Sequence, residues 1–144
     1  MRQNNPPGFD RLSLPAEYSS LDTFQEFVQE RAESAGLPPS AYLKIVMVQE
    51  EVLLNIFKNA YPPERQGLVE LACGQQEDGQ GFLVRYTDQG RPFDPLSAPP
   101  PDVTLDIDDR EEGGLGILLM KKMSRSQHYQ REGDSNILEL VFDP

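Results

Sequence analysis

The sequence is poor in cysteine, in histidine and in positive charge, and it holds no long apolar run. Each shortage removes a class of function. A single cysteine, Cys73, excludes an internal disulfide and a metal cage built from cysteines alone. Nothing approaches the ~18–20 consecutive apolar residues that a membrane-spanning helix needs. The start, Met1-Arg-Gln-Asn-Asn-Pro-Pro, lacks the apolar stretch of a secretory signal, so a cytoplasmic chain without membrane contact is expected. Acidic residues number 24 against 13 basic ones, for a net charge of −11. That field repels phosphate backbones and disfavours direct binding of nucleic acid. The one histidine, His128, reads as a structural or surface residue beside Tyr129, and Cys73 reads as core.

Familiar site signatures are missing too. No Gly-Lys-Ser/Thr follows the glycines at 113–116, so they do not form a Walker A loop. No hydrophobic strand precedes them in a βαβ unit, which excludes a Rossmann site. The acids Asp102, Asp106, Asp108 and Asp109 lack the spaced glycine and terminal glutamate of an EF-hand loop.

What is present fits one domain. At 144 residues the chain is long enough to bury a core. Residues 1–8, rich in Asn and Pro, read as a flexible tail, and 9–144 as the domain. Phe9 to Leu14 alternate as a strand stopped by Pro15. Leu21, Phe24, Phe27, Val28 and Ala32 recur with helical spacing behind a Ser20 or Asp22 cap. Ser40 offers the N-cap of a second helix running to about Tyr61. Leu68–Cys73 and Phe82–Tyr86 predict antiparallel neighbours. Residues 89–112, full of Pro, Asp and Gly, are too long for an ordinary connector and predict a functional loop or lid. A short helix over Leu115–Met123 and strands around 127–131 and 136–142 complete the order β-α-α-β-β-lid-α-β-β.

Three segments carry chemistry. On the second helix, at ~100° per residue, Lys44, Glu51, Asn55, Lys58 and Asn59 share one polar arc with Val48, and most other positions are apolar. A carboxylate and an amide at i and i+4 point from one face. Asn55 Oδ1 suits Mg²⁺, which takes few protein oxygens and completes its coordination with water and phosphate. Glu51 suits a general base, and Asn59 and Lys58 extend the same polar wall. The second segment is Asp88-Gln-Gly90, at the end of a strand. Its carboxylate can accept from an adenine amine, and its glycine lets backbone approach the ring. The third is Gly113-Gly114-Leu115-Gly116, opening a helix, where uncluttered N–H groups can meet phosphate oxygens. Singly, each has an ordinary alternative: a solvated helix face, a strand-ending turn, or a glycine hinge.

Together and in this order, Glu51-x-x-x-Asn55, Asp88-x-Gly90 and Gly114-x-Gly116 resemble the N, G1 and G2 boxes of the histidine-kinase-like ATPase (GHKL, Bergerat) superfamily. Glu50-Glu51, Ala60-Tyr61-Pro62, the run Asp88 to Leu96 and Lys121-Lys122-Met123 are similar to the anti-sigma-factor serine/threonine kinases. The resemblance covers roughly residues 9–142. It implies an α+β fold, a two-layer α/β sandwich whose mixed, mainly antiparallel sheet carries helices on one face, with an ATP lid at about 95–112. It implies ATP/ADP and Mg²⁺ as ligands, Glu51 as catalytic base and Asn55 as metal ligand. Asn59, Asp88, Gly90, Arg110, Gly113, Gly114, Leu115 and Gly116 would hold the nucleotide. Implied partners are a sigma factor and an anti-anti-sigma protein of STAS fold, phosphorylated on serine or threonine, and many members are homodimers.

The chain departs from the pattern at Pro92, where the wider superfamily has glycine, and at Ser124-Arg125, where relatives often carry an acid. Glu111 and Glu112, directly before the glycines, oppose a triphosphate unless Mg²⁺ or Arg110 offsets them. A protein kinase, a nucleotide-gated binding module without phosphoryl transfer, and an interaction protein that takes no nucleotide therefore stay open as functions.

Overall fold

Alternating apolar residues build the sheet. The computed structural model describes residues 9–77, 79–97 and 114–144, and within them five strands form: β1 (Asp10–Pro15), β2 (Leu68–Gln75), β3 (Phe82–Asp88), β4 (Ser126–Glu132) and β5 (Ser135–Phe142). Their order across the sheet is β1-β2-β3-β5-β4. Every pairing among the described residues is antiparallel, so the sheet is simpler than the mixed one expected. Three helices accompany it: α1 (Leu21–Ser34), α2 (Pro39–Asn59) and α3 (Gly114–Met123). None is long and apolar enough to cross a membrane. The tail at 1–8 and most of the predicted lid lie outside the described residues; the described part of the lid includes a 3-10 turn at Pro95–Ser97.

Period-two alternation puts Phe82, Val84 and Tyr86 of β3 and Leu138, Leu140 and Phe142 of β5 on one buried face. Phe24 and Val28 of α1, Ile45, Val48 and Leu53 of α2, and Met120 of α3 join them in one hydrophobic cluster. Burying each such side chain stabilises by roughly 1.5–3 kcal/mol. The other face keeps polar pairs, such as Arg85 Nε to Glu139 Oε2 at 2.8 Å across β3 and β5. The result is the two-layer α+β sandwich expected.

Several local expectations need correction. Pro15 closes β1 by pairing with Leu68, because an edge strand tolerates a missing N–H. Helix α2 begins at Pro39 and not behind a Ser40 cap: Pro39 has its φ preset for the first turn, and Pro38 O accepts from Ala41 N at 2.9 Å. It ends at Asn59, short of Tyr61. Ser20 occupies the N-cap of α1 without making a side-chain capping bond, and Asp22 lies in the first turn.

The polar arc of α2 is not its only solvent face. Leu43 and Met47 are 54% and 46% exposed, whereas Gln49 is wholly buried. Gln49 sits in a closed hydrogen-bond chain. Tyr86 OH donates to Gln49 Oε1 at 2.9 Å, Gln49 Nε2 donates to Gln25 Oε1 at 2.7 Å, and Gln25 Nε2 donates to Val46 O at 3.1 Å. Buried polar groups persist when satisfied in this way. The chain ties α1 and α2 to β3 through Tyr86, which also lines the cleft described below.

Cys73 is buried as expected, and burial pushes its thiol up from 9.0 to about 12. The unfolded chain therefore releases this proton first. Its contribution to stability is complete below pH 9.0 and is lost as pH rises towards about 12, at a slope of about 1.4 kcal/mol per pH unit. Desolvation raises the Tyr86 hydroxyl in the same direction. Native protein at pH 8 should resist a thiol-specific disulfide reagent that reacts fully in urea; rapid native labelling would contradict this burial.

Candidate functional site

Helical spacing places Glu51, Asn55 and Asn59 one above another on α2, all half-buried and all lining one cleft. Glu50 turns to solvent, as its phase on the helix requires. Lys58 is exposed and not part of the lining, contrary to its place in the predicted polar wall.

The second wall comes from the end of β3. Asp88 is 5% exposed, with Oδ1 accepting from Gly90 N at 2.8 Å and from Asn136 Nδ2 at 3.0 Å. Its Oδ2 has no hydrogen-bond donor among the described residues. A buried carboxylate oxygen without a donor is costly unless a ligand or water supplies one. This atom fits an amine-bearing ring in the cleft.

Asn136 is a site residue that sequence reasoning missed. The register pairs it with Asp88 across β3 and β5. Besides Asp88 it donates to Arg91 O at 2.8 Å, while its Oδ1 accepts from Tyr129 OH at 2.5 Å and Phe93 N at 3.3 Å. A signal existed: Asn136 interrupts the apolar face Leu138, Leu140, Phe142 of β5. Tyr61 supplies a second clamp. Its hydroxyl donates to Leu68 O at 2.7 Å and accepts from Gln89 N at 2.8 Å, and desolvation raises its pKa.

Gly90 is pressed against the end of α2. A Cβ there would lie 2.2 Å from Ala60 O, the same oxygen that accepts from Arg91 N at 3.0 Å. Gly90→Ala must therefore push the turn carrying Asp88 off the helix. The expected cost is about 1–3 kcal/mol of overpacking, read by urea unfolding; unchanged stability would mean the contact yields freely.

The third segment also reaches the cleft. Gly114, Leu115 and Gly116 open α3, as predicted. A Cβ on Gly116 would lie 3.0 Å from Glu51 Cδ and 3.2 Å from its Oε1, so glycine lets the first turn of α3 run against that carboxylate. Ile117 and Met120 of α3, with Tyr86 and Leu138, make the apolar inner wall. Met120 thus belongs to core and cleft alike. Arg110 and Gly113 lie outside the described residues.

An apolar slot with a lone carboxylate acceptor at one side suits a flat heterocycle carrying an N–H donor. A carboxylate and an amide beside a glycine-opened helix start suit an anionic tail. The residues present fit a nucleotide.

Comparisons agree with this arrangement. The profile of the Histidine kinase-like ATPase domain family matches residues 14–142. The serine/threonine-protein kinase BtrW of Bordetella bronchiseptica is 28% identical over 97 residues, 67% of either chain. Among solved structures, the histidine kinase domain of the blue-light activated histidine kinase from Erythrobacter litoralis EL346 superposes with a TM-score of 0.55. At 16% identity, that likeness concerns the fold alone; it covers 97% of this chain, which spans 65% of that one. With its strands, helices and cleft in this order and a family match across nearly its whole length, the chain belongs to the histidine kinase-like ATPase domain family.

Proposed function

We propose that the chain is an ATP-dependent serine/threonine protein kinase of the anti-sigma type, acting in the cytoplasm on an anti-anti-sigma protein of STAS fold and binding a sigma factor. One observation carries the reading: half-buried Glu51 and Asn55 share a cleft with buried Asp88, whose Oδ2 has no hydrogen-bond donor among the described residues. The relative named a serine/threonine-protein kinase supports the reaction type. The resemblance of the three segments supports the partner class, and a homodimer belongs to the same proposal.

In this mechanism Asp88 Oδ2 accepts the exocyclic amine of adenine, while Ile117 and Met120 pack against the ring. The N–H groups at Gly114 to Gly116 receive phosphate oxygens, and the family resemblance extends that role to Gly113 and Arg110, which lie outside the described residues. Mg²⁺, held through Asn55 Oδ1 and phosphate oxygens, would offset the charge of the triphosphate. Glu51 accepts the proton of the partner's hydroxyl as that oxygen bonds to the γ-phosphorus. The bond from phosphorus to the β–γ bridging oxygen breaks, and ADP leaves. Asn59 borders the nucleotide from the next turn of α2.

The test is label transfer from γ-labelled ATP with Mg²⁺ to a STAS-domain protein of the same genome. Labelled serine or threonine is expected. Saturable ATP binding without label on any such acceptor would replace this reading with the second: a nucleotide-gated binder. Glu111 and Glu112 before the glycines bear on both readings, because they oppose a triphosphate unless Mg²⁺ or Arg110 offsets them.

A further inference from the structure

Beside the nucleotide cleft, three arginines surround one opening. Arg65, Arg91 and Arg131 line an open cleft of about 680 Å³ around the turn Gln89–Gly90, with Asp134 as the one acid among its described lining residues. Asn59, Ala60 and Arg91 border both clefts. The arginines in ion pairs among the described residues are Arg11, Arg31, Arg85 and Arg125; Arg65, Arg91 and Arg131 are not among them. In a chain with 24 acids against 13 bases, such a grouping runs against the overall charge.

Neutral groups hold the three in place. Arg91 Nε donates to Asn59 O at 3.0 Å, and its guanidinium lies 5.5 Å from the centre of the Phe93 ring. Arg131 donates from Nε to Gly133 O at 3.2 Å and from Nη1 to Gly90 O at 2.8 Å. Arg65 lies 5.1 Å from the centre of the Tyr61 ring. Carbonyls and aromatic faces orient the forks without cancelling their charge, which prepares them for oxyanions.

We propose that this cleft is a docking groove for an acidic segment of a partner protein, a stretch of chain bearing two or more carboxylates. The inference rests on reading the chain as a protein-binding regulator but needs no phosphoryl transfer. Exposure and shape select the occupant. All three arginines are exposed, where a single ion pair contributes little, so one small anion is held weakly. Carboxylates spaced along a backbone reach several forks at once, and Tyr61 and Pro92 offer apolar surface to the chain between them. The net charge of −11 works against a long polyanion. A short acidic run held against the arginines lies within the ~8–10 Å over which their own field prevails.

Fluorescence anisotropy tests this with the full chain and a labelled peptide of alternating Asp and Gly. Saturable, salt-sensitive binding is expected, weakened about tenfold in the Arg65→Ala/Arg131→Ala double variant. An Arg11→Ala/Lys122→Ala variant, which removes equal charge elsewhere, should bind as the parent does. Arg65→Glu repeats the test if the double variant fails to fold. Equal loss in the control variant, equal binding of an Asn–Gly peptide, tighter binding of oligothymidylate, or displacement by equimolar inorganic phosphate would each overturn the proposal. ATP titration of the same samples separates the two readings. ATP binding without peptide binding removes the groove alone, and peptide binding without ATP binding removes the nucleotide reading alone.

Discussion

Asp88→Asn is expected to weaken ATP binding about a hundredfold while leaving the fold intact. The geometry dictates the direction. Oδ1 of Asp88 is occupied by two donors, Gly90 N and Asn136 Nδ2. An asparagine must keep its single carbonyl oxygen on those donors, which turns its NH₂ towards the cleft. There it would face the adenine amine, donor against donor, so an attraction becomes a repulsion and an unmade hydrogen bond. Calorimetric titration with ATP and Mg²⁺ measures the loss, and urea unfolding checks that the variant remains folded. Inosine triphosphate, which lacks the amine, should bind the parent protein poorly. Parental affinity in a folded Asp88→Asn protein would remove Asp88 from the nucleotide site.

Glu51→Gln should lower phosphoryl transfer by about 10²–10⁴-fold, the usual share of a positioned base, with ATP affinity within a few-fold of the parent. The amide preserves the shape of the side chain, and therefore its contact with Gly116, but cannot take a proton. That separates a chemical role from a packing one. Single-turnover transfer to the acceptor gives the rate, and a parental rate would leave Glu51 as nothing more than a support for α3. A nucleotide-gated binder predicts a different pattern, with no transfer to lose and partner capture unaffected.

Much of the fold was legible because its signals are local. Apolar spacing in α1 marks the side it buries at Phe24, Phe27, Val28 and Ala32, and alternation in β3 and β5 marks the core face of the sheet. The spacing of Glu51, Asn55 and Asn59 also survives, since one helix turn sets it. Less legible were the ends of α2 and the inward turn of Gln49. Proline at the first helical position outcompeted the serine cap, and a tyrosine from a strand 37 residues away met the glutamine.

By itself, then, the sequence determined which elements form, their order, the polar line on α2, and the glycines that open α3. Those properties depend on neighbours within a turn or two of chain. Only the tertiary structure decided that Asn136 stands opposite Asp88 and occupies one of its oxygens. Only it pressed Gly90 onto Ala60 and Gly116 onto Glu51, and gathered Arg65, Arg91 and Arg131 around one cleft. Strand register and close packing join residues far apart in the chain, and a periodic pattern fixes which face a side chain takes but not which distant partner it meets.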